Sequence, residues 1–418
     1  MKSFETYVAE GRIKESMDKK QVNSHMVHIE DLVIYGGVDG CRQAIVALRS
    51  LRDMLAGESV ESHNITQKWD GAPAIFAGED PQTGEFFIAK KGIFNKTPKV
   101  YKSLADVRAD TSGDLTHKLS VAFTELSKLN IKGILQGDLL FTKDDLKIVK
   151  IEGRKYVTFH PNTLVYAVLY PSSDADVVLS ANLGVVFHTS YTGATFDKLK
   201  AHYGADLSKL KQTSTAWVQT ATLRDVSGSA TLTAKQSERI TSLLSRAGSL
   251  FRDIAATTLH ELEAHAELPR MIETFENSYV RRGEKVADSP AHVRELIDWI
   301  HSRYAAEADK RKTEKGKAAV DAKKQEILHF FSPTNTASLV KMFDLRFTIV
   351  EIKEAIIKQL DKLNGLGTFV KTTKGYRTTG SEGFVAIDRL NGGAVKLVNR
   401  LEFSHLNFDP SIIKGWDK

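Results

Sequence analysis

The spacing of apolar positions changes three times along this chain. Up to about residue 60 they recur at helical intervals: Phe4, Tyr7 and Val8, then Ala44, Val46, Leu48, Leu51 and Leu55 after the Gly-rich YGGVDG. From Asn64 to about Ser190 the pattern shortens to β-type runs such as AIFAG, EFFIAK, GILQGDLLF, YVTF and LVYAVLY, separated by turn signals such as EDPQTGE and FTKDD. Helical spacing then returns. One stripe is Ile240, Leu243, Leu244, Ala247, Leu250, Phe251 and Ile254; another is Val293, Leu296, Ile297 and Ile300. Three further β-type runs follow, TFVKT, EGFVAI and AVKLV. The pattern predicts an α+β protein. It has a helical segment over 1–60, a sheet domain in two parts over 61–200 and 367–418, and an all-helical insertion over 201–366 between them.

Length and composition set limits without naming a function. A chain of 418 residues is long enough for two or three domains at roughly 100–200 residues each. No run nears the roughly 20 apolar residues of a membrane span, and no secretory h-region opens the chain, so neither a membrane partner nor export is expected. The charge of +6 and pI near 9.0 favour a polyanionic partner only mildly. A single cysteine, Cys41, rules out an internal disulfide framework and any multi-cysteine zinc site. The charge-dense KRKTEKGKAAVDAKKQE, residues 310–326, reads as a solvated helix or connector in preference to a nucleic-acid patch. His25, His28 and His63 are too scattered for a metal site, and His28 reads as a capping or packing residue. Neither a P-loop, a Rossmann fingerprint nor a Gly-x-Ser-x-Gly elbow occurs.

Candidate chemistry begins at KWDG, with Lys68, Asp70 and Gly71. Its ordered partners are KKG (Lys90, Lys91, Gly92), QGDLLF (Asp138), LVYAVLY (Tyr166), SEGFVAI (Glu382, Gly383) and AVKLVNR (Lys396, Arg400). Read as a strand, KWDG points Lys68 and Asp70 to one face and Trp69 to the other, while Gly71 permits a tight turn. A lysine acts as a nucleophile only when neutral, and a free one has a pKa of about 10.4, so nearby cations or a metal are needed to activate it. Tyr166 is open to two readings, a base-stacking ring or core.

In order and spacing this series resembles motifs I, Ia, III, IIIa, IV and V of the covalent nucleotidyltransferases, the superfamily of ATP-dependent RNA and DNA ligases and mRNA capping enzymes. The resemblance covers about 61–200 and 367–418. It implies a ligase-type fold with ATP-grasp-like antiparallel sheets, ATP as the nucleotide, and Mg²⁺ or Mn²⁺. It further implies Lys68 as the residue that becomes linked to AMP, with Asp70, Glu382 and Lys396 as catalytic partners. Gln67, Lys91, Asp138, Tyr166, Lys396 and Arg400 would contact the nucleotide, and Asp138 and Glu382 the metal. Two positions depart from the pattern: Val398 stands where motif V has a second lysine, with Arg400 as a possible substitute, and Asp138 stands where glutamate is usual.

Only 18 residues follow Arg400, too few for an OB-fold of roughly a hundred. The resemblance is therefore nearer to RNA ligases, which implies a polynucleotide ligase acting on 5′-phosphate and 3′-hydroxyl ends, RNA before DNA. Two alternatives are a DNA ligase and a virion-associated nucleic-acid-binding protein that keeps the fold without sealing ends. The first 170 residues also resemble proteins of large tailed bacteriophages, through the element from His25 to Leu32, K-x-DGAPAI, the loop Gly92 to Lys96, and QGD with a later PNT. That implies the host cytoplasm or the capsid interior. MKSFETYVAEGRIKE resembles a capsid-targeting leader over 1–15, with cleavage after Glu10 or Glu15; the alternative is an amphipathic helix on its own domain.

Overall fold

A computed structural model describes residues 26–57, 65–223, 232–363, 366–387 and 394–417. The leader, His25, His63 and the Phe4–Val8 stripe lie outside these. Strands are numbered along the chain: β1 (Ile65–Lys68), β2 (Ala74–Glu79), β3 (Phe86–Ala89), β4 (Ile134–Thr142), β5 (Lys147–Ile151), β6 (Arg154–Phe159), β7 (Leu164–Leu169), β8 (Leu183–Thr192), β9 (Lys200–Tyr203), β10 (Ala216–Thr220), β11 (Gly367–Thr372), β12 (Gly375–Thr378), β13 (Gly383–Ile387), β14 (Ala394–Leu397) and β15 (Ile412–Ile413). The class is mixed α+β with mainly antiparallel sheets.

Two compact units divide the chain. The smaller is built from Gly71–Leu146 and Asp176–Ala221. Its sheet runs β10-β8-β4-β2-β3, with β9 beside β8; β10 joins β8 in parallel and the other pairs are antiparallel. Alternation along β2 places Ile75 and Ala77 in a core shared with Leu119, Ala122 and Leu126 of the Gly113–Leu126 helix, while Phe76 packs in a second cluster on Phe87 and Ile93. The register between β4 and β8 slips at Gln136/Gly137. A Cβ on Gly137 would lie 2.2 Å from the Val186 carbonyl, so only glycine fits there. Within the stretch expected to be wholly helical, β9 and β10 are strands, and the first long helix starts at Ala234. Their Thr, Tyr, Trp and Val residues suit a sheet edge, and pairing with β8 decides the matter.

The larger unit comprises Val27–Asp70, Lys147–Ala175 and Thr222–Lys418. One of its sheets runs β12-β11-β7-β6-β5, with β15 on β11, so strands from both β-type blocks of the sequence pair directly, Phe369 opposite Val165. The other has three strands in the order β1-β13-β14.

Helices Gly37–Leu55, Ala234–Asp253, Ser289–Asp309 and Pro333–Leu360 supply most of the larger core. Side-chain caps start two of them: Thr233 and Gln236 form a reciprocal box, and Asp288 accepts from Ala291 N–H ahead of Pro290. Of the predicted stripes, Ile240, Leu244, Ala247 and Ile254, then Val293, Leu296 and Ile300, are buried, while Leu243, Leu250, Phe251 and Ile297 pack half-buried against that core. Val46 differs. It is 42% exposed because it lies two residues from Ala44, off the face that buries Cys41, Ala44, Ile45 and Leu48. The 310–326 run forms most of the Glu314–Phe330 helix, which buries only Val320, Ile327 and Phe330 and pairs lysines with acids three residues before them.

Candidate functional site

The three-stranded sheet has two unlike faces, and register assigns every side chain to one of them. Ile65 pairs with Ala386, Gln67 with Phe384, and Phe384 with Leu397. Ile65, Phe384, Ala386, Val395 and Leu397 belong to the helical core, so this face is closed. Strand alternation then sends Thr66, Lys68, Val385 and Lys396 to the opposite face. Gln67 falls with the core-facing set and is 7% exposed, so it lies away from the two lysines.

Lys68 and Lys396 sit on one face, two strands and two residues apart, roughly 12 Å between Cα atoms from standard strand spacings. Two lysine side chains can span that gap to a shared anion. Lys68 Nζ is paired with Glu382 Oε1, with the lysine side chain 30% and the glutamate side chain 10% exposed. Gly383 makes this arrangement possible. It has φ +138°, and a Cβ there would lie 2.4 Å from Leu397 O and 2.9 Å from Val398 Cγ2. Val398, at the place of the second motif lysine, is thus packed against Gly383 and 3% exposed.

Asp70 has a different setting from the shared face read in the sequence. β1 ends at Lys68, and the Asp70 carboxylate is buried, accepting from Asn162 Nδ2 at 2.6 Å, Thr163 N–H at 2.6 Å and Leu164 N–H at 2.7 Å. Burial pushes its carboxyl above the ordinary value, while the Leu164 and Thr163 N–H groups and Lys68 pull it down. Its own N–H donates to the Tyr166 hydroxyl at 2.7 Å. Tyr166 is 1% exposed, stacked on Phe159 at 5.4 Å and tilted against Trp69 at 4.9 Å. Both residues therefore act as a clamp that fixes the chain just past Lys68. Asn162 and Thr163 belong to the PNT noticed in the sequence, and their spacing alone gave no sign of this role.

The smaller unit holds two further predicted positions, Lys91 and Asp138. Lys91 opens a short 3₁₀ turn, Lys91–Phe94, and is exposed. Asp138 lies on β4 with His188 Nε2 3.8 Å from its Oδ2. His188 is the residue left over at the β-bulge, which is why its position could not be read from strand alternation.

Arg400, beyond β14, starts a short π-helix, Arg400–Ser404. Its guanidinium donates to Asp31 Oδ1 at 3.4 Å and to Asn277 Oδ1. Asp31 is shared with Arg346 at 2.5 Å, and Arg346 also pairs with Glu276, which contacts His292. Beside them Lys353 meets Glu30 at 2.7 Å, both almost wholly buried. The sequence element HIEDL thus supplies two carboxylates to a buried ionic network, and His28 packs without making a side-chain cap. Burial, aided by Arg400 and Lys353, lowers His28 to about 4, so its ring is neutral at pH 7.

The chain belongs to the DUF6267 family. The family model, described as a family of unknown function, matches residues 23–411. No curated protein and no solved structure matches this DUF6267 chain. The matched span takes in every predicted site residue from Gln67 to Arg400. Among the described residues, no helix is long and apolar enough to cross a membrane, and no group of three or more metal-ligating side chains gathers.

Proposed function

We propose that this protein is an ATP-dependent covalent nucleotidyltransferase of the RNA-ligase kind, with the ligase-type fold the motif order implies. The observation that carries this is the lysine face: Lys68 paired with Glu382, and Lys396 on the same side, with the other side sealed against helices. In the first step Lys68 Nζ bonds to the α-phosphorus of ATP while the bond to the β-phosphate oxygen breaks and pyrophosphate leaves. Glu382 Oε1 touches Nζ and is placed to take its proton. Lys396 offers a fixed cation to the charge that builds on the phosphate oxygens. Asp70 and Tyr166 contribute by holding the backbone, not by touching substrate.

Among the described residues Glu382 is the carboxylate paired with Lys68, and it would be the protein ligand of a divalent ion held partly by nucleotide phosphates, as Mg²⁺ commonly is. Such an ion supplies charge neutralisation at the phosphates. AMP would then pass to a 5′-phosphate and a 3′-hydroxyl would displace it. Val398 favours a second reading, a nucleotidyltransferase fold that charges itself or binds nucleic acid without sealing, because it places an apolar side chain where the motif has a lysine.

Incubation with α-labelled ATP and Mg²⁺ tests the first step: a labelled protein adduct is expected, and Lys68→Ala abolishes it. Absence of any adduct from the unaltered chain under Mg²⁺ and Mn²⁺ would overturn the assignment. Nicked duplexes, single-stranded RNA and tRNA halves bearing a 5′-phosphate then separate the two readings, since adduct without sealed product supports the second.

A further inference from the structure

A polar cavity of about 310 Å³ opens in the larger unit and is lined by His28, Glu273, Asn277, Arg281, Arg400 and Phe408, among others. It lies at the low end of the roughly 300–1,000 Å³ typical of small-ligand sites. It also adjoins the lysine sheet through the chain itself: His28 bridges Lys396, whose N–H donates to Val27 O at 3.0 Å, and Arg400 follows Lys396 by four residues.

Its lining sorts by chemistry. Arg281 lies in the last turn of the Glu267–Arg282 helix, and among the described residues no carboxylate pairs with it. Its guanidinium lies 5.1 Å from the centroid of Phe408, a ring that is 52% exposed. Arg400 spends donors on Asn277 and on Asp31, but Asp31 is held more closely by Arg346, at 2.5 Å against 3.4 Å. A guanidinium carries five N–H donors, so Arg400 keeps some for a ligand. His28 Nδ1 is buried without a partner. Glu273 accepts from the Tyr35 hydroxyl and adds a carboxylate acceptor at the wall.

Two guanidinium groups suit a phosphate, an exposed aromatic ring beneath one of them suits a base, and a carboxylate acceptor suits a sugar hydroxyl. We infer that this cavity is a subsite for the 5′-terminal phosphonucleotide of a single-stranded polynucleotide, with Arg400 and Arg281 on the phosphate and Phe408 against the base. It deepens the nucleotidyltransferase reading by naming where the strand end is held. Binding needs no covalent step, so it is measured apart from that chemistry.

The test is fluorescence anisotropy of the full chain, without ATP, using a short labelled RNA carrying either a 5′-phosphate or a 5′-hydroxyl. The 5′-phosphate form should bind at least about tenfold more tightly, the scale of one or two charge-assisted contacts. Arg281→Ala and Phe408→Ala, both at exposed positions, should each weaken it several-fold, and Arg281→Lys should restore part of the loss. Equal binding of the two RNAs, or unchanged binding by both alanine variants, overturns the subsite. If the RNAs are distinguished as expected while no labelled adduct forms with ATP, the subsite stands and the nucleotidyltransferase chemistry falls.

Discussion

Glu382 and Asp70 flank Lys68 in two different ways, one against its side chain and one against the backbone. Glu382 touches the Lys68 amine, so Glu382→Gln keeps the shape but loses the group that can accept a proton. Under the proposed chemistry a fall of at least about 100-fold in the rate of adduct formation is expected, the usual range for general acid–base groups, with little change in thermal midpoint. A rate within a few-fold of the parent would remove Glu382 from that role. Asp70 touches backbone instead. Asp70→Ala strands the buried N–H groups of Thr163 and Leu164 and the Asn162 amide, and should cost about 3 kcal/mol in urea unfolding. A cost below about 1 kcal/mol would show that the clamp is dispensable.

At the scale of elements, the HIEDL turn and the Pro333–Leu360 helix are joined by charges taken out of water. Breaking one partner of such a pair typically costs roughly 3–5 kcal/mol, whereas replacing both with apolar residues is often neutral. Lys353→Met alone should therefore be strongly destabilising, and adding Glu30→Leu should recover most of the loss; chemical denaturation of the two singles and the double checks this. Additive losses would mean that the pair acts independently. This network was invisible in the sequence, because Glu30 and Lys353 are 323 positions apart and HIED reads locally as an ordinary cap. The lysine face was far more legible. Motif order predicted that Lys68, Glu382 and Lys396 belong together, and strand alternation does place both lysines on one face. Alternation failed at Asp70 because β1 stops two residues earlier and distant donors capture the carboxylate. It failed for His188 because a bulge inserts an unpaired residue.

For the whole molecule, buried His28 and His160 contribute a loss of stability as the pH falls, opposed in part by Asp70 and Asp361, whose carboxyls burial raises. His28 and His160 are each lowered from 6.5 to about 4, chiefly by burial. Below pH 6.5 the unfolded chain takes up protons that the folded chain refuses, so stability falls as pH drops toward 4, by up to about 3 kcal/mol for each. Glu30, held down to about 2 against its burial by Lys353, adds a further loss between pH 4.5 and 2. Denaturation at pH 7.5 and pH 4.5 should show this slope, and His28→Gln should flatten it; an unchanged slope would mean that His28 accepts its proton in the folded state.

The pairing of β11 with β7 has a consequence for any attempt to shorten the chain. Strand β7 is bonded on one side to β6 and on the other to β11, which lies about 200 residues later. A fragment ending before residue 366 would leave Leu164–Leu169 as an open, apolar sheet edge of the kind that recruits other chains. Asp70 anchors Lys68 to the start of that same strand, so truncation would loosen Lys68 as well as promote aggregation.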